Sequence, residues 1–440
     1  MRSVRARTAV SLAALAALTL TVPALAAPAT AATTATTTAT ATAAASAAAD
    51  VTAPAGFVGI SPLRVLDTRD YNQVPAHDQF GPLTAGEYYS TPLASRCGNH
   101  PPSSCEAVVP TDVTAVVVNV TVTDPTADGY VSLGAANGTP GTAPATSSIN
   151  FTAGQTVSNL VTVAVGPVVR GAPWISVYNN WGTTHVVLDL VGYYQPTATD
   201  KYGPLTPTRI ADSRVDGTGR LGGDAVRSYQ VARPELGTAD ATSVVLNVTA
   251  TEGTWDSFLT AYPSGSPLPA AGSNVNFPVG STVANQVVVP VGVDGRIDLY
   301  NHAGWVHVIV DVVGSYGPSG KGLFSALRTP VRNLDTRVTG PQLQQWATRQ
   351  VAVVPPDGSV PNIMGVEANV TVTDVTEYGH LTAFPGPGLP PNTSTVNVAP
   401  GQTVANSVST GVAGDGTYSV YNHGAPVDLI ADLTGYFTTG

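Results

Sequence analysis

The sequence predicts an all-β protein: three tandem β-sandwich domains, jelly-roll-like, behind an export signal and a disordered leader. Three observations carry that prediction. The first is an internal repeat, which dictates architecture before any residue-level reading. Asn150 to Tyr194 (NFTAGQTVSNLVTVAVGPVVRGAPWISVYNNWGTTHVVLDLVGYY) returns at Asn276 to Tyr316 and again at Asn397 to Phe437. Equivalent positions such as Asn119, Asn247 and Asn369 lie about 120 residues apart, the size of a domain rather than a solenoid element. The second is composition. Charged residues are only 11%, and 44 Gly and 36 Pro punctuate runs of Val and Thr. That is the chemistry of short strands joined by tight turns. The third is periodicity. In AVVVNVTVTD, Val116, Val118, Val120 and Val122 alternate with Val117, Asn119, Thr121 and Thr123. A period of two with one apolar and one mostly polar face predicts a half-buried strand. About seven or eight such strands per unit, with no helical periodicity, predict a sandwich.

Residues 1–26 read as a secretory signal peptide. Arg2, Arg5 and Arg7 precede the apolar run Val10 to Val22, and Ala24-Leu25-Ala26 fits a cleavage site. The run is short of the ~20 residues that span a bilayer, and no other stretch qualifies. A secreted or cell-wall-associated protein, not an integral membrane one, is expected. Residues 27–55, rich in Ala and Thr, lack the side chains for a core and read as a spacer, bare or O-glycosylated. The first sandwich is assigned to 56–196. It carries the insertion RCGNHPPSSCE, whose Cys97 and Cys105 are spaced to close a disulfide on a surface loop. The second sandwich is assigned to 202–317 and the third to 324–438, with QPTATDK and GPSGKGL as linkers. Each unit is expected to own its apolar interior, about 10 Å thick. The whole would then be a stiff string, and residues 324–440 would fold alone. A ring joining strands of all three units is the less natural arrangement.

Some positions stay fixed between copies while their neighbours drift. Charge is scarce, yet each unit places three charges in six residues: RVLDTR (Arg64, Asp67, Arg69), RIADSR (Arg209, Asp212, Arg214) and RNLDTR (Arg332, Asp335, Arg337). The guanidinium fork fits a carboxylate through two parallel bonds. On a strand, residues two apart share a face and residues three apart do not. Asp67 therefore aligns with Arg69, and Arg64 points elsewhere unless the chain turns. Three readings stand: a partly buried ion pair, a site for an acidic sugar, sulfate or peptide carboxylate, or a calcium site at Asp67, Asp212 and Asp335. No DxDxDG loop supports the last. Asp189, Asp311 and Asp432 each sit in an apolar terminal strand. A buried carboxylate must find donors, and the arginine cluster of its own unit is the expected source. His185 and His307 lie four residues earlier, but the third copy has Asp428 there, which argues against a relay common to all three. The glycine before each terminal aromatic predicts a bulge or a close approach, with the aromatic closing the sandwich edge. Asn159, Asn285 and Asn406 end a turn and are expected to bond backbone. Tyr178, Tyr300 and Tyr421 fit core or groove walls, and Trp174, Trp181, Trp255 and Trp305 are candidates for stacking on sugar rings. Asn119, Asn247 and Asn369 open N-x-Thr sequons, but strand alternation accounts for them first.

No nucleophile elbow, HExxH helix, phosphate loop or CxxC occurs. No catalytic residue, metal site or cofactor is assigned. A net charge of -10 gives no electrostatic pull toward nucleic acid. The set RxLDTR, NVTxT, NFxxGxTVxN, YNxxG and DxxGY[YF], spanning about residues 56 to 437, resembles a repeat domain of secreted actinobacterial proteins. That family occurs alone in tandem or beside hydrolases and cell-wall proteins. The resemblance implies export and a surface setting, and it implies no activity. The second copy departs from the pattern at RIADSR and GSY, and the first at its cysteine insertion. The reading is an exported, non-catalytic repeat protein for cell-surface, cell-wall or glycan attachment, with a cell-wall polysaccharide or surface glycan as partner. Repetition favours it, because weak sites gain from avidity. The alternatives are a purely structural spacer or assembly protein, and a secreted glycan-active hydrolase. The last requires two carboxylates roughly 5–9.5 Å apart across a cleft.

Overall fold

The alternating Val and Thr runs become strands, and Gly, Pro and Asn end them. A computed structural model describes residues 51–69, 81–97, 105–136, 144–270, 272–355 and 362–440. The expected export signal at residues 1–26, the expected leader up to residue 50 and residues 70–80 lie outside these. Repeat 1 supplies β1 (Gly56–Asp67), β2 (Tyr88–Pro92), β3 (Ala94–Cys97), β4 (Cys105–Ala107), β5 (Ala115–Thr123), β6 (Gly129–Ala135), β7 (Ile149–Phe151), β8 (Val157–Ala164), β9 (Trp174–Asn179) and β10 (His185–Gln195). Repeat 2 supplies β11 (Lys201–Asp212), β12 (Ala225–Gln230), β13 (Ser243–Thr251), β14 (Ser257–Pro263), β15 (Val275–Phe277), β16 (Thr282–Pro290), β17 (Arg296–Asn301) and β18 (His307–Gly317). Repeat 3 supplies β19 (Gly322–Asp335), β20 (Thr348–Ala352), β21 (Ile363–Thr373), β22 (Gly379–Pro385), β23 (Val396–Val398), β24 (Val404–Gly411), β25 (Thr417–Asn422) and β26 (Asp428–Thr439).

Each repeat folds these strands into two antiparallel four-stranded sheets. In repeat 1 the orders are β1-β10-β5-β8 and β2-β9-β6-β7. Repeats 2 and 3 copy both orders, and a β11–β19 contact joins their first sheets into one of eight strands. Leaving out the inserted β3–β4 hairpin, the strands of a repeat run first-eighth-third-sixth in one sheet and second-seventh-fourth-fifth in the other. That nesting of two Greek keys is the jelly roll. The turn after the third strand of every repeat places a non-glycine residue in the left-handed region: Asp124, Glu252 and Asp374, with φ of 52°, 52° and 59°. In the inserted hairpin, the backbone sets Cys97 directly opposite Cys105. Their side chains, and so the disulfide itself, lie outside the described residues.

Each sandwich has its own apolar interior, as expected. Val118 and Leu188 belong to the first, Leu246 and Val310 to the second, and Val370 and Leu429 to the third. The string of separate sandwiches is not what forms. All described residues belong to one compact unit, and a fourth core lies among the three repeats. It holds Phe57 and Tyr194 of repeat 1, Tyr202 and Tyr316 of repeat 2, and Phe324 and Phe437 of repeat 3. Ring pairs close it cyclically: Phe57–Tyr316 at 4.0 Å, Tyr202–Phe437 at 4.1 Å and Tyr194–Phe324 at 4.3 Å. Each pair joins a different two repeats. The terminal aromatics therefore do not close a sandwich edge; they meet on a pseudo-threefold axis. The glycines before them act as expected. A Cβ on Gly192 or Gly435 would fall 2.3 Å from the ring of Phe57 or Phe324, and the strand register slips beside both. Residues 51–55, which composition assigns to the leader, lie against repeat 3: Ala55 and Phe324 exchange both backbone bonds at 2.9 Å.

The axis explains a second difference. The Asn/Thr face of β5 is not solvated; all nine residues of β5 and of β13 are buried. That face is the contact between neighbouring repeats. Asn119 Nδ2 donates to the Ser273 carbonyl, Asn247 Nδ2 to that of Ser394, and Asn369 Nδ2 to that of Ser147. Asn285, Asn406 and Asn159 each donate across the same junctions to Asn119, Asn247 and Asn369 Oδ1, at 3.3, 3.4 and 3.0 Å. The asparagines expected to bond local backbone thus tie one repeat to the next as well. The three sequon asparagines are at most 6% exposed, so these positions are closed to glycosylation.

Candidate functional site

The recurring arginine cluster is held by a bulge. The β1–β10 register shifts between Arg64 and Leu66, so Arg64 and Asp67, three apart, reach the same side. The alternation rule that sends Arg64 elsewhere fails at that extra residue. Arg64 then grips Asp189 through two bonds, Nε to Oδ1 at 2.9 Å and Nη2 to Oδ2 at 3.2 Å, and also reaches Asp67 at 3.0 Å. Arg69 grips Asp67 through two more, at 2.9 and 2.8 Å. Repeats 2 and 3 repeat the design with Arg209–Asp311, Arg214–Asp212, Arg332–Asp432 and Arg337–Asp335. Each terminal-strand aspartate finds its donors in the cluster of its own repeat. The hydrogen bond from Arg214 or Arg337 holds Asp212 or Asp335 below the usual carboxylate range; in Asp67 the Arg69 contacts outweigh the opposing effect of burial. Burial pushes Asp189, Asp311 and Asp432 up, against the pull of their arginines. The Asp67, Asp212 and Asp335 carboxylates are taken up by guanidinium groups rather than gathered for calcium. Among the described residues, no three His, Cys, Asp or Glu come together as a metal would need.

A hydroxyl within each cluster ties it to the start of the terminal strand. Thr68 Oγ1 meets His185 Nδ1 at 3.0 Å, Ser213 meets His307 at 3.0 Å, and Thr336 donates to Asp428 at 2.7 Å. The histidines thus serve as strand-to-loop ties, and Asp428 fills the same place. Thr336 Oγ1 also accepts the Leu429 N–H. A Thr336→Val substitution should cost about 1–3 kcal/mol, because it strands a buried N–H and a carboxylate oxygen. Urea unfolding checks this, and a shift below about 0.5 kcal/mol would count it as a neutral surface change.

The guanidinium groups also face outward, onto the neighbouring repeat. Arg64 and Arg69 line a cleft of about 380 Å³ whose far wall is the second sheet of repeat 2, with Phe258, Thr260, Tyr300 and His302. Phe258 and His302 stack at 4.6 Å with only 12° between planes, and Tyr300 donates to Asp224 at 2.8 Å. The same meeting recurs around the axis. Arg209 of repeat 2 lies close enough to His380 of repeat 3 to help burial and His423 push its imidazole down to about 4. His380 and His423 stack at 4.0 Å, and Tyr421 and Trp346 stand edge-on to His423. Arg332 of repeat 3 bonds the Ala145 carbonyl of repeat 1, whose Tyr130 also feels its charge. There Tyr88, Tyr130 and Tyr178 form the aromatic wall.

Tyr300 is therefore a groove wall, while Tyr178 is buried and Tyr421 stands edge-on to His423. The tryptophans are not groove walls. Trp181, Trp255 and Trp305 stand 63%, 67% and 59% exposed on turns away from the open cleft. Trp174 is tied to the Val169 carbonyl by its indole N–H. Phe258 and His302 carry no signal in one copy alone. Aligning the copies gives Tyr130, Phe258 and His380 at one place, a ring each time, which is the available clue.

No protein-family model and no curated protein sequence matches this chain. Among solved structures, the chain is similar to the triple jelly roll protein from the turret of an archaeal virus, at 9% identity over 87% of this chain and 91% of that one, TM-score 0.16. It is similar to a structure of Sulfolobus turreted icosahedral virus, at 8% identity over the same shares and TM-score 0.14. It is also similar to the N-terminal CBM22 tandem of Xyn10C from Paenibacillus barcinonensis, at 12% identity over 60% of this chain and all of that one, TM-score 0.16. The jelly-roll assignment rests on the strand order. The protein is an all-β triple jelly roll, and its recurring carboxylates are paired with guanidinium groups rather than set as an acid–base couple.

Proposed function

We propose that the protein is an exported, non-catalytic module that attaches to carbohydrate at the bacterial surface through the clefts between its repeats. One observation carries the reading: a guanidinium pair faces a wall of stacked rings in an open cleft. Rings supply a flat apolar face for a sugar, and fixed donors orient its oxygens. The export signal and the likeness to actinobacterial surface repeats support the extracellular setting. The uptake of the recurring carboxylates by guanidinium groups supports the non-catalytic role.

The test is saturable binding of the processed chain to a panel of purified peptidoglycan, teichoic acid and soluble polysaccharides, with Phe258→Ala as the cleft variant. Binding that Phe258→Ala weakens supports the reading, and no saturable binding to any member overturns it. A second reading, a building block of a larger structural assembly, is favoured by the exposed Trp181, Trp255, Trp305 and Tyr378, the last 81% exposed. Light scattering separates the two. A concentration-dependent assembly abolished by Trp255→Ser, together with no polysaccharide binding, would establish the second.

A further inference from the structure

We propose that the cleft between repeats 1 and 2 takes a carboxylate-bearing sugar unit of a polymer, its acid on Arg69 and Thr121 and its ring on the Phe258–His302 pair. The inference rests on the carbohydrate reading above and adds the charge class and the junction.

Three observations point to an anion. Among the described residues, the lining of this cleft holds Arg64, Arg69 and His302 and no carboxylate, in a chain where acids outnumber bases 29 to 19. The carboxylates that balance the arginines are behind them: the Asp67 and Asp189 side chains are 0% and 2% exposed, against 44% for Arg69. The cluster is thus a dipole with its positive end in the cleft. Asp67 occupies Nε and Nη2 of Arg69, which leaves further donors of the fork for a second acceptor. The other observation is independent of charge. Thr121 lines the same cleft, is 6% exposed, and its hydroxyl, like those of its counterparts Thr249 and Thr371, has no hydrogen-bond partner. A buried hydroxyl without a partner is a position that a ligand oxygen satisfies. Guanidinium and hydroxyl donors around a carboxylate give charge-assisted bonds, the strong kind.

The junction between repeats 3 and 1 carries the same arginine cluster. There the Ala145 carbonyl occupies Arg332 Nη2 at 3.0 Å, and Tyr130 Oη donates to the Pro144 carbonyl. Arg337 grips Asp335 through the same two bonds as Arg69 grips Asp67 but lies at another junction, which makes it the control for the loss of an ion pair.

The experiment measures binding of the full processed chain to polygalacturonate and to its fully methyl-esterified form, which share a backbone and differ in charge. The expected result is binding to the acid form at least roughly tenfold tighter than to the ester, weakened by added salt. Arg69→Gln should lose roughly tenfold, while Arg337→Gln, carrying the same loss of an ion pair, stays near the parent chain. Equal binding of acid and ester, sensitive to Phe258→Ala, overturns the charge class and leaves the carbohydrate reading standing. Equal losses in Arg69→Gln and Arg337→Gln overturn the placement at this junction. Absence of binding to both polymers, together with binding of a neutral wall polysaccharide, also overturns this inference alone. Absence of binding to every polysaccharide removes both.

Discussion

A Phe437→Ala protein should lose about 3–5 kcal/mol, the usual cost of emptying a buried phenyl site. All three repeats should feel it at once. Phe437 is 0% exposed, stacks on Tyr202 of repeat 2 at 4.1 Å and touches Phe324 of its own repeat at 5.0 Å. Its removal opens the fourth core rather than the interior of one sandwich. Calorimetry should show a single transition moved to lower temperature. A new partial transition confined to repeat 3, with the other two unmoved, would mean that the repeats melt independently. By the same physics, residues 324–440 alone would expose Phe324 and Phe437 and strip Asn369 and Asn406 of their cross-repeat partners. That fragment should not fold cooperatively, contrary to what the repeat pattern by itself suggests.

Substituting Glu367 should change how stability depends on pH. Glu367 stands where the other repeats place Val117 and Val245, two residues before the junction asparagine. It is 2% exposed. Oε1 accepts the Ser409 hydroxyl at 2.5 Å, Gln286 Nε2 of repeat 2 donates to Ser409 at 2.7 Å, and Oε2 has no partner. Burial drives its carboxyl from 4.5 up to about 8, against the Ser409 bond. The titratable groups around it are Tyr194, Tyr202 and Tyr316, which burial holds well above their ordinary 10 and hence neutral here. The folded chain keeps the Glu367 proton up to about 8, whereas the unfolded chain releases it near 4.5. Between those values the folded state binds more protons, so this group makes stability fall as pH rises. The slope approaches 1.4 kcal/mol per unit within the window and flattens on either side. Glu367→Gln keeps the Ser409 contact and cannot ionise. Wild type and variant should match at pH 4, and the variant should be more stable by a few kcal/mol at pH 9. Parallel stability curves across that range would sink the assignment.

Much of this was readable beforehand, for local reasons. The jelly-roll class follows from period-two runs and turn residues, which depend on neighbours a few positions away. The pairing of Asp189, Asp311 and Asp432 with their own clusters follows from the cost of burying a charge. What was not readable depends on packing between repeats. Asn119 and Thr121 look solvated because a polar face ordinarily meets water, and here it meets another repeat. Tyr194 and Phe437 look like edge closures because one copy shows no axis. The bulge beside Arg64 is one extra residue, which alternation cannot reveal. The cleft required strands from two repeats, so the arginines were visible as a motif and their ring wall was not. The tryptophans drew notice by size, but exposure alone did not bring them to the cleft.

Joining three jelly rolls on a single polypeptide has a consequence for what can evolve on the axis. Were the body a trimer of identical chains, any residue at the centre would appear in triplicate. Three acids at the place of Glu367 would crowd one another in an apolar interior, and every junction would be open or every junction sealed. Covalent linkage removes that constraint. One lobe can keep a lone acid among valines, and each can set a different ring at its seam, tyrosine, phenylalanine or histidine, so duplicated subunits acquire separate duties without giving up their common frame.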